Sequence, residues 1–250
     1  MARETTPEPN PNNETERARS IFNKFKDRKL FDEDGNQVAM NITAMIALFI
    51  IMEKMPDVKT DVTFRNFKEG DKRAPVEDNY IQLVNPEDAE FELLLSPERP
   101  DMRSEKGRFI NIKRLAQIMN LPVEDITEDM ANTFAIIREI GHYFNYRGKT
   151  GVGIDMATEN SLNEIEKVKK ELVEKELKEK LEEELFIIES YYKFTDQVMA
   201  DKFAEKWMSE HMYLFNPDVN PYLGQWSVEP EQQYPPQAGV IYLNSSLPSQ

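Results

Sequence analysis

The sequence predicts an α+β protein, mostly helical, with a small twisted sheet and a long charged helical insertion. Three observations carry this expectation. Several stretches repeat apolar residues at steps of three and four. Between them, short runs alternate or cluster as strands do. A stretch from about 158 to 193 is almost all Glu and Lys around a thin apolar stripe. The chain has 250 residues, a formal net charge of −15, no cysteine and two histidines, His142 and His211.

The first 15 residues are rich in Pro, Asn, Glu and Thr and are expected to be disordered. A helix from Glu14 to Lys29 follows, with Ala18, Ile21, Phe22 and Phe25 on one face. The Asp34-Gly35 pair in "FDEDGNQ" supplies a turn. Asn41 suits the cap of an apolar helix, Ile42 to Lys54, and Pro56 comes just after it. Four short runs then read as three or four strands of a small sheet: "DVTFRNF", with Val62 and Phe64 on one side, "NYIQLV", "AEFELLL" and "RFINI". The polar "SPERPDMRSEKG" is a loop between two of them. Lys113 to Asn120 forms a short helix closed by Leu121-Pro122. A longer helix runs from Thr127 to Tyr146, with Met130, Phe134, Ile137, Gly141 and Phe144 as its buried stripe and Thr127 or Asp125 as its cap. After the Glu/Lys insertion, "TDQVMADKFAEKWMSEHMYLF" gives the last helix, with Val198, Phe203, Trp207 and Met208 on an apolar side. The organisation is therefore a tail over 1–15, one α+β domain over 16–215 with its insertion at about 158–193, and a Pro-rich extended tail over 216–250. That tail is expected to wrap the domain through Tyr222, Trp226 and "VIYL".

Composition excludes several functions. A nucleic-acid binder needs a basic surface to displace phosphate counterions, and no basic run is present. Without cysteine there is no disulfide, no thiolate metal site and no cysteine nucleophile. The most apolar run, Ile42 to Met52, falls short of the roughly 20 residues that span a bilayer. The N-terminus lacks the apolar core of a secretory signal. A cytoplasmic protein is expected, with neither nucleic acid nor membrane as partner.

The chemistry-bearing stretch is "IIREIGHYFNY". Two histidines at i and i+4 share a helix face and can reach one zinc, and a Glu after the first activates the zinc-bound water. Here the first position is Arg138, followed by Glu139, Gly141 and His142. A glycine before the second histidine lets another element approach closely. Later, "DQVMADKFAEKWM" places Ala200, Asp201, Phe203 and Ala204 in a second pattern.

Together these segments resemble the zincin fold of ImmA/IrrE-type metallopeptidases, over about Arg108 to Met208. Those proteins carry an H-E-x-G-H helix and a later E-x-x-A-(D/N)-x-F-A helix, whose Glu is the third zinc ligand. The resemblance implies that Arg138, His142 and Gln197 stand at the ligand positions and Glu139 at the general base. Two of three ligands are lost. A guanidinium neither ligates metal nor deprotonates, and Gln is a poor substitute for a carboxylate on zinc. The expectation is a vestigial metal site at Arg138, Glu139, His142 and Gln197, with no metal and no cofactor. Arg138 would fill the pocket, Gln197 would offer its amide oxygen, and Asp196 or Glu189 would balance the charge. Otherwise Asp196, Asp201 and Glu189 read as solvated or capping charges and His211 as a surface or interface histidine.

The implied function is a catalytically inactive, pseudo-metallopeptidase domain that binds or regulates a protein or peptide, for example an extended segment along "RFINI". Two alternatives stand beside it. One is a helical interaction or scaffold protein unrelated to zincins. The other is an active metallopeptidase using Glu139 or His142 with Glu189 or Asp196.

Overall fold

A computed structural model of the chain describes residues 11–67, 80–85, 90–96, 108–147 and 194–228, with Asn163, Glu166, Lys167 and Lys170 as isolated helical positions. The rest of the Glu/Lys insertion and "VIYL" lie outside the described residues. The fold is α+β, helical for the most part, with one small sheet.

Helix α1 covers Pro11–Phe25. It begins and ends earlier than the periodicity suggests. Ala18, Phe22 and Phe25 are buried on its inner face. A tight turn follows, in which Asp32 Oδ1 accepts from the Asn36 amide and Gly35 takes φ of +81°. Helix α2, Ile42–Lys54, is capped by Asn41, whose side chain accepts from the Ala44 amide. It is apolar nearly all round because it runs through the core, where Ala44, Ile46, Ala47, Leu48 and Ile51 have no solvent exposure. A short helix α3, Pro56–Asp61, leads straight into strand β1, Val62–Asn66.

Strands β2, Tyr80–Asn85, and β3, Glu90–Leu95, complete a mixed sheet in the order β1-β3-β2. β1 lies parallel to β3, with Phe64 opposite Leu93, and β2 lies antiparallel to it, with Ile81 opposite Leu93. The Asn66 side chain pairs with the backbone of Ala39 through both its oxygen and its nitrogen, which ties the end of β1 to the segment before α2.

"RFINI" is not a strand. It is the first part of helix α4, Arg108–Met119. Its β-branched residues sit in a longer pattern in which Ile112, Leu115 and Ala116 are buried at steps of three and one, a helical face that a five-residue window cannot reveal. The helix closes at Asn120, at φ of +51°, with the Leu121 amide donating to Ala116 O and the Asn120 amide to Gln117 O. This paired closure needs a left-handed residue, and Asn tolerates that conformation. The expected peptide-binding edge at "RFINI" is therefore removed.

Helix α5, Glu128–Tyr146, is capped by Thr127, which accepts from the Met130 amide; Asp125 belongs to a short 3-10 turn instead. Helix α6, Thr195–Glu210, packs along it. Its buried side is Ala200, Ala204, Trp207 and Met208, while Val198 and Phe203 are only partly covered. The segment from Met212 to Val228 then crosses α2 and the start of α5. Tyr222 stacks on Phe22, and Trp226 is buried opposite Asn41, its indole N–H donating to Glu128.

Candidate functional site

The site lies where α5 and α6 cross. A methyl group added to Gly141 would come within 2.9 Å of Ala200 Cα and 3.0 Å of its carbonyl oxygen. Only a residue without a side chain allows that approach. On α5, Arg138 and His142 flank this point at steps of three and one. On α6, Gln197 and Asp201 flank Ala200 in the same way. Close contact of the two small residues therefore brings the four larger side chains together.

Arg138 is held from three directions. Its Nε donates to Asp201 Oδ1 at 2.8 Å, one terminal nitrogen donates to Glu139 Oε1 at 3.3 Å, and the other donates to Gln197 Oε1. The side chains of Arg138, Glu139 and Asp201 are 16%, 8% and 7% exposed. At such burial, fixed hydrogen-bonding partners are what makes a charge tolerable. Gln197 in turn donates to Asp196 Oδ2 at 3.0 Å, and the backbone carbonyl of Asp196 accepts from Asn145. The second oxygen of Glu139 leaves the cluster and accepts from the backbone amide of Ile81, on β2, at 3.0 Å.

His142 is buried at the far side of the cluster. Its Nδ1 has no hydrogen-bond partner among the described residues and lies 3.8 Å from Asp196 Oδ2. Burial, reinforced by the Arg138 charge and opposed by Gln197, pulls its pKa down to about 3. The ring is therefore neutral at ordinary pH.

The acid facing the guanidinium is Asp201, with Glu139. Asp196 instead holds Gln197, and Glu189 lies outside the described residues. Neither Asp196 nor Asp201 is a solvated charge: both are buried. Asp201 was legible as a partner only through spacing, since Gln197, Ala200, Asp201 and Ala204 share one helical face. His211 is not a surface residue either. It is 3% exposed and stacks on Trp207 at 4.0 Å, its Nδ1 meeting Trp207 O and its Nε2 meeting Lys54 Nζ. Because the ammonium can only donate, Nε2 accepts and the ring is neutral, in keeping with a pKa lowered chiefly by burial.

The donor set does not suit a zinc ion. One imidazole remains, a guanidinium lies among the acids, and among the described residues no group of three or more His, Asp or Glu is placed to hold a metal. One guanidinium is here bonded by two carboxylates and an amide oxygen, so acids outnumber the cation in the cluster. No family model, no curated protein and no solved structure matches the chain.

Proposed function

We propose that this chain is a zincin-like domain that has given up its metal: a pseudo-metallopeptidase of the ImmA/IrrE type that acts as a binding or regulatory module for a protein or peptide. The observation that carries the reading is the bond from Arg138 to Gln197. By resemblance, both stand at lost zinc-ligand positions, 59 residues apart in sequence, and they satisfy each other. Asp201 and Glu139 supply the negative charge that the cation requires. A guanidinium in the metal's place removes both the Lewis acid and the activated water, which leaves recognition rather than hydrolysis. No described helix is long and apolar enough to cross a membrane. With its charge of −15, the chain is proposed to work in the cytoplasm on protein partners rather than on nucleic acid.

The test restores the ligands. Protein purified without chelators should carry no stoichiometric zinc by elemental analysis. The double substitution Arg138→His with Gln197→Glu should bind about one equivalent. Stoichiometric zinc in the parent, or chelator-sensitive peptide cleavage abolished by His142→Ala, defeats the proposal. A double variant that folds but takes up no zinc removes its support from the resemblance.

A further inference from the structure

The end of α6 meets the end of α2 at one histidine, away from the Arg138 cluster and independent of the zinc reading. His211 follows the last residue of α6 and leads into a 3-10 turn, Met212–Phe215, which packs on α1 and α2 and buries Leu214. The ring stacks on Trp207 and lies 5.8 Å from the Tyr213 ring. Both of its nitrogens are committed. Nδ1 donates to Trp207 O at 2.7 Å, and Nε2 accepts at 2.9 Å from Nζ of Lys54, the last residue of α2. The titratable and charged groups around the ring are Lys54 from α2, Glu210 from α6 and Tyr213 from the turn, with Arg17 of α1 acting on Tyr213. Glu210 is the acid among them, and its influence on the ring is the smallest.

We infer that His211 is an acid-sensitive pin: a proton on Nε2 releases the joint between α6 and the Met212–Phe215 turn from the end of α2. Protonated Nε2 is a donor, and it would face an ammonium that can only donate. Lys54 is exposed and can swing into water, but His211 is buried. A buried cation without an acceptor is costly. Turning the ring outward relieves that cost. It also unstacks Trp207 and undoes the bonds that close the joint, from the His211 amide to Met208 O and from the Leu214 amide to His211 O. Burial and the Lys54 charge hold the pKa below 6.5 while the joint is closed, whereas a ring in water keeps its ordinary value. The closed joint is therefore fully favoured above about pH 6.5 and weakens as pH falls below it. The segment beyond is anchored through Asp129, Asn41 and Thr43, none of them a histidine, so the opening stays local.

Deuterium exchange at pH 7.5 and pH 5.5, corrected for the intrinsic effect of pH, tests this. In the parent, the His211 and Leu214 amides should lose at least about threefold of their protection at pH 5.5. The ceiling is about tenfold, the limit for one proton one unit below 6.5. Amides inside α2 should keep theirs, which separates local opening from general acid unfolding. His211→Gln should abolish the loss, and Lys54→Met should shrink it, because the repulsion is gone. Equal loss in His211→Gln, or in Lys54→Met, overturns the inference, as does a loss shared by α2. If His211→Gln does not fold, the parent decides through the imidazole proton resonances. The His211 ring should titrate below pH 6.5, in step with the loss of protection. A ring that titrates at or above 6.5, or protection lost while the ring stays neutral, overturns the pin.

Discussion

At the scale of single residues, one cation organises the crossing of α5 and α6. Truncating Arg138 to Ala would take away the cation that Asp201 and Glu139 both bond while the two carboxylates stay buried. Breaking one side of a buried pair costs about 3–5 kcal/mol, so urea denaturation should show a loss near the lower end of that range, since Arg138 keeps some solvent contact. Replacement by Met together with Asp201→Leu should recover much of it. His142 gives a second expectation. Its folded pKa of about 3 lies below the ordinary 6.5, so between those values the unfolded chain holds a proton that the folded chain excludes. Its contribution is complete above pH 6.5 and is lost as pH falls toward 3, at no more than about 1.4 kcal/mol per pH unit. Denaturation at pH 6.5 and pH 5, above most carboxylate titrations, should give a steeper loss in the parent than in His142→Gln. Equal slopes would mean that Asp196, facing the ring at 3.8 Å, stabilises the imidazolium after all. The two motifs grouped Arg138, Glu139, His142 and Gln197 only through the resemblance that they carry. They did not announce Asp201, because an isolated acid on a helix is ordinarily solvated and only burial reveals it.

At the scale of elements, Gly141 decides how closely two helices approach. Gly141→Ala would gain up to about 1 kcal/mol of helix propensity. Its new methyl would meet backbone of Ala200 that cannot rotate away. Overpacking of this kind costs about 1–3 kcal/mol, so the net effect should be a destabilisation of up to about 2 kcal/mol in urea with an unchanged m-value. A stabilised variant would show that α6 can shift outward at little cost. Strands β1, β2 and β3 were legible from alternation and bounding Pro, Gly and Asp. "RFINI" was misread because β-branched residues suit strands and buried helix faces alike, and the continuing pattern through Ile112, Leu115 and Ala116 is what separates them. The buried face of α6 was read too far round, toward Val198 and Phe203. Its true face keeps Trp207 and Met208 but is otherwise built from alanines and polar residues, which hydrophobicity alone underrates.

At the scale of the whole molecule, the C-terminal segment ties the ends of the fold together. The buried Asp129 carboxylate accepts from Asn41 Nδ2, Thr43 Oγ1 and the Gly224 amide, while Asn220 bonds Thr43 Oγ1 and Leu214 O. Hydrogen bonds to a charged group are worth roughly 1.5–3 kcal/mol each, so Asp129→Ala should lower stability by about 2–4 kcal/mol. It should also speed proteolysis between 216 and 228; an unchanged cleavage rate would mean that Phe22–Tyr222 stacking and Trp226 hold the segment unaided. The sequence by itself determined the α+β class, the cap at Asn41, the turn at Asp34-Gly35 and most helix positions. Each of these depends on neighbours within a few residues, through backbone sterics, local hydrogen bonds and the helical repeat. Only the tertiary structure decided that Asp201 faces Arg138, that Glu139 reaches the edge of β2, that His211 is buried and that Asp129 anchors the C-terminal segment. Those contacts join residues tens to hundreds of positions apart, and whether a polar group is buried with partners depends on how whole elements pack, which no short window of sequence records.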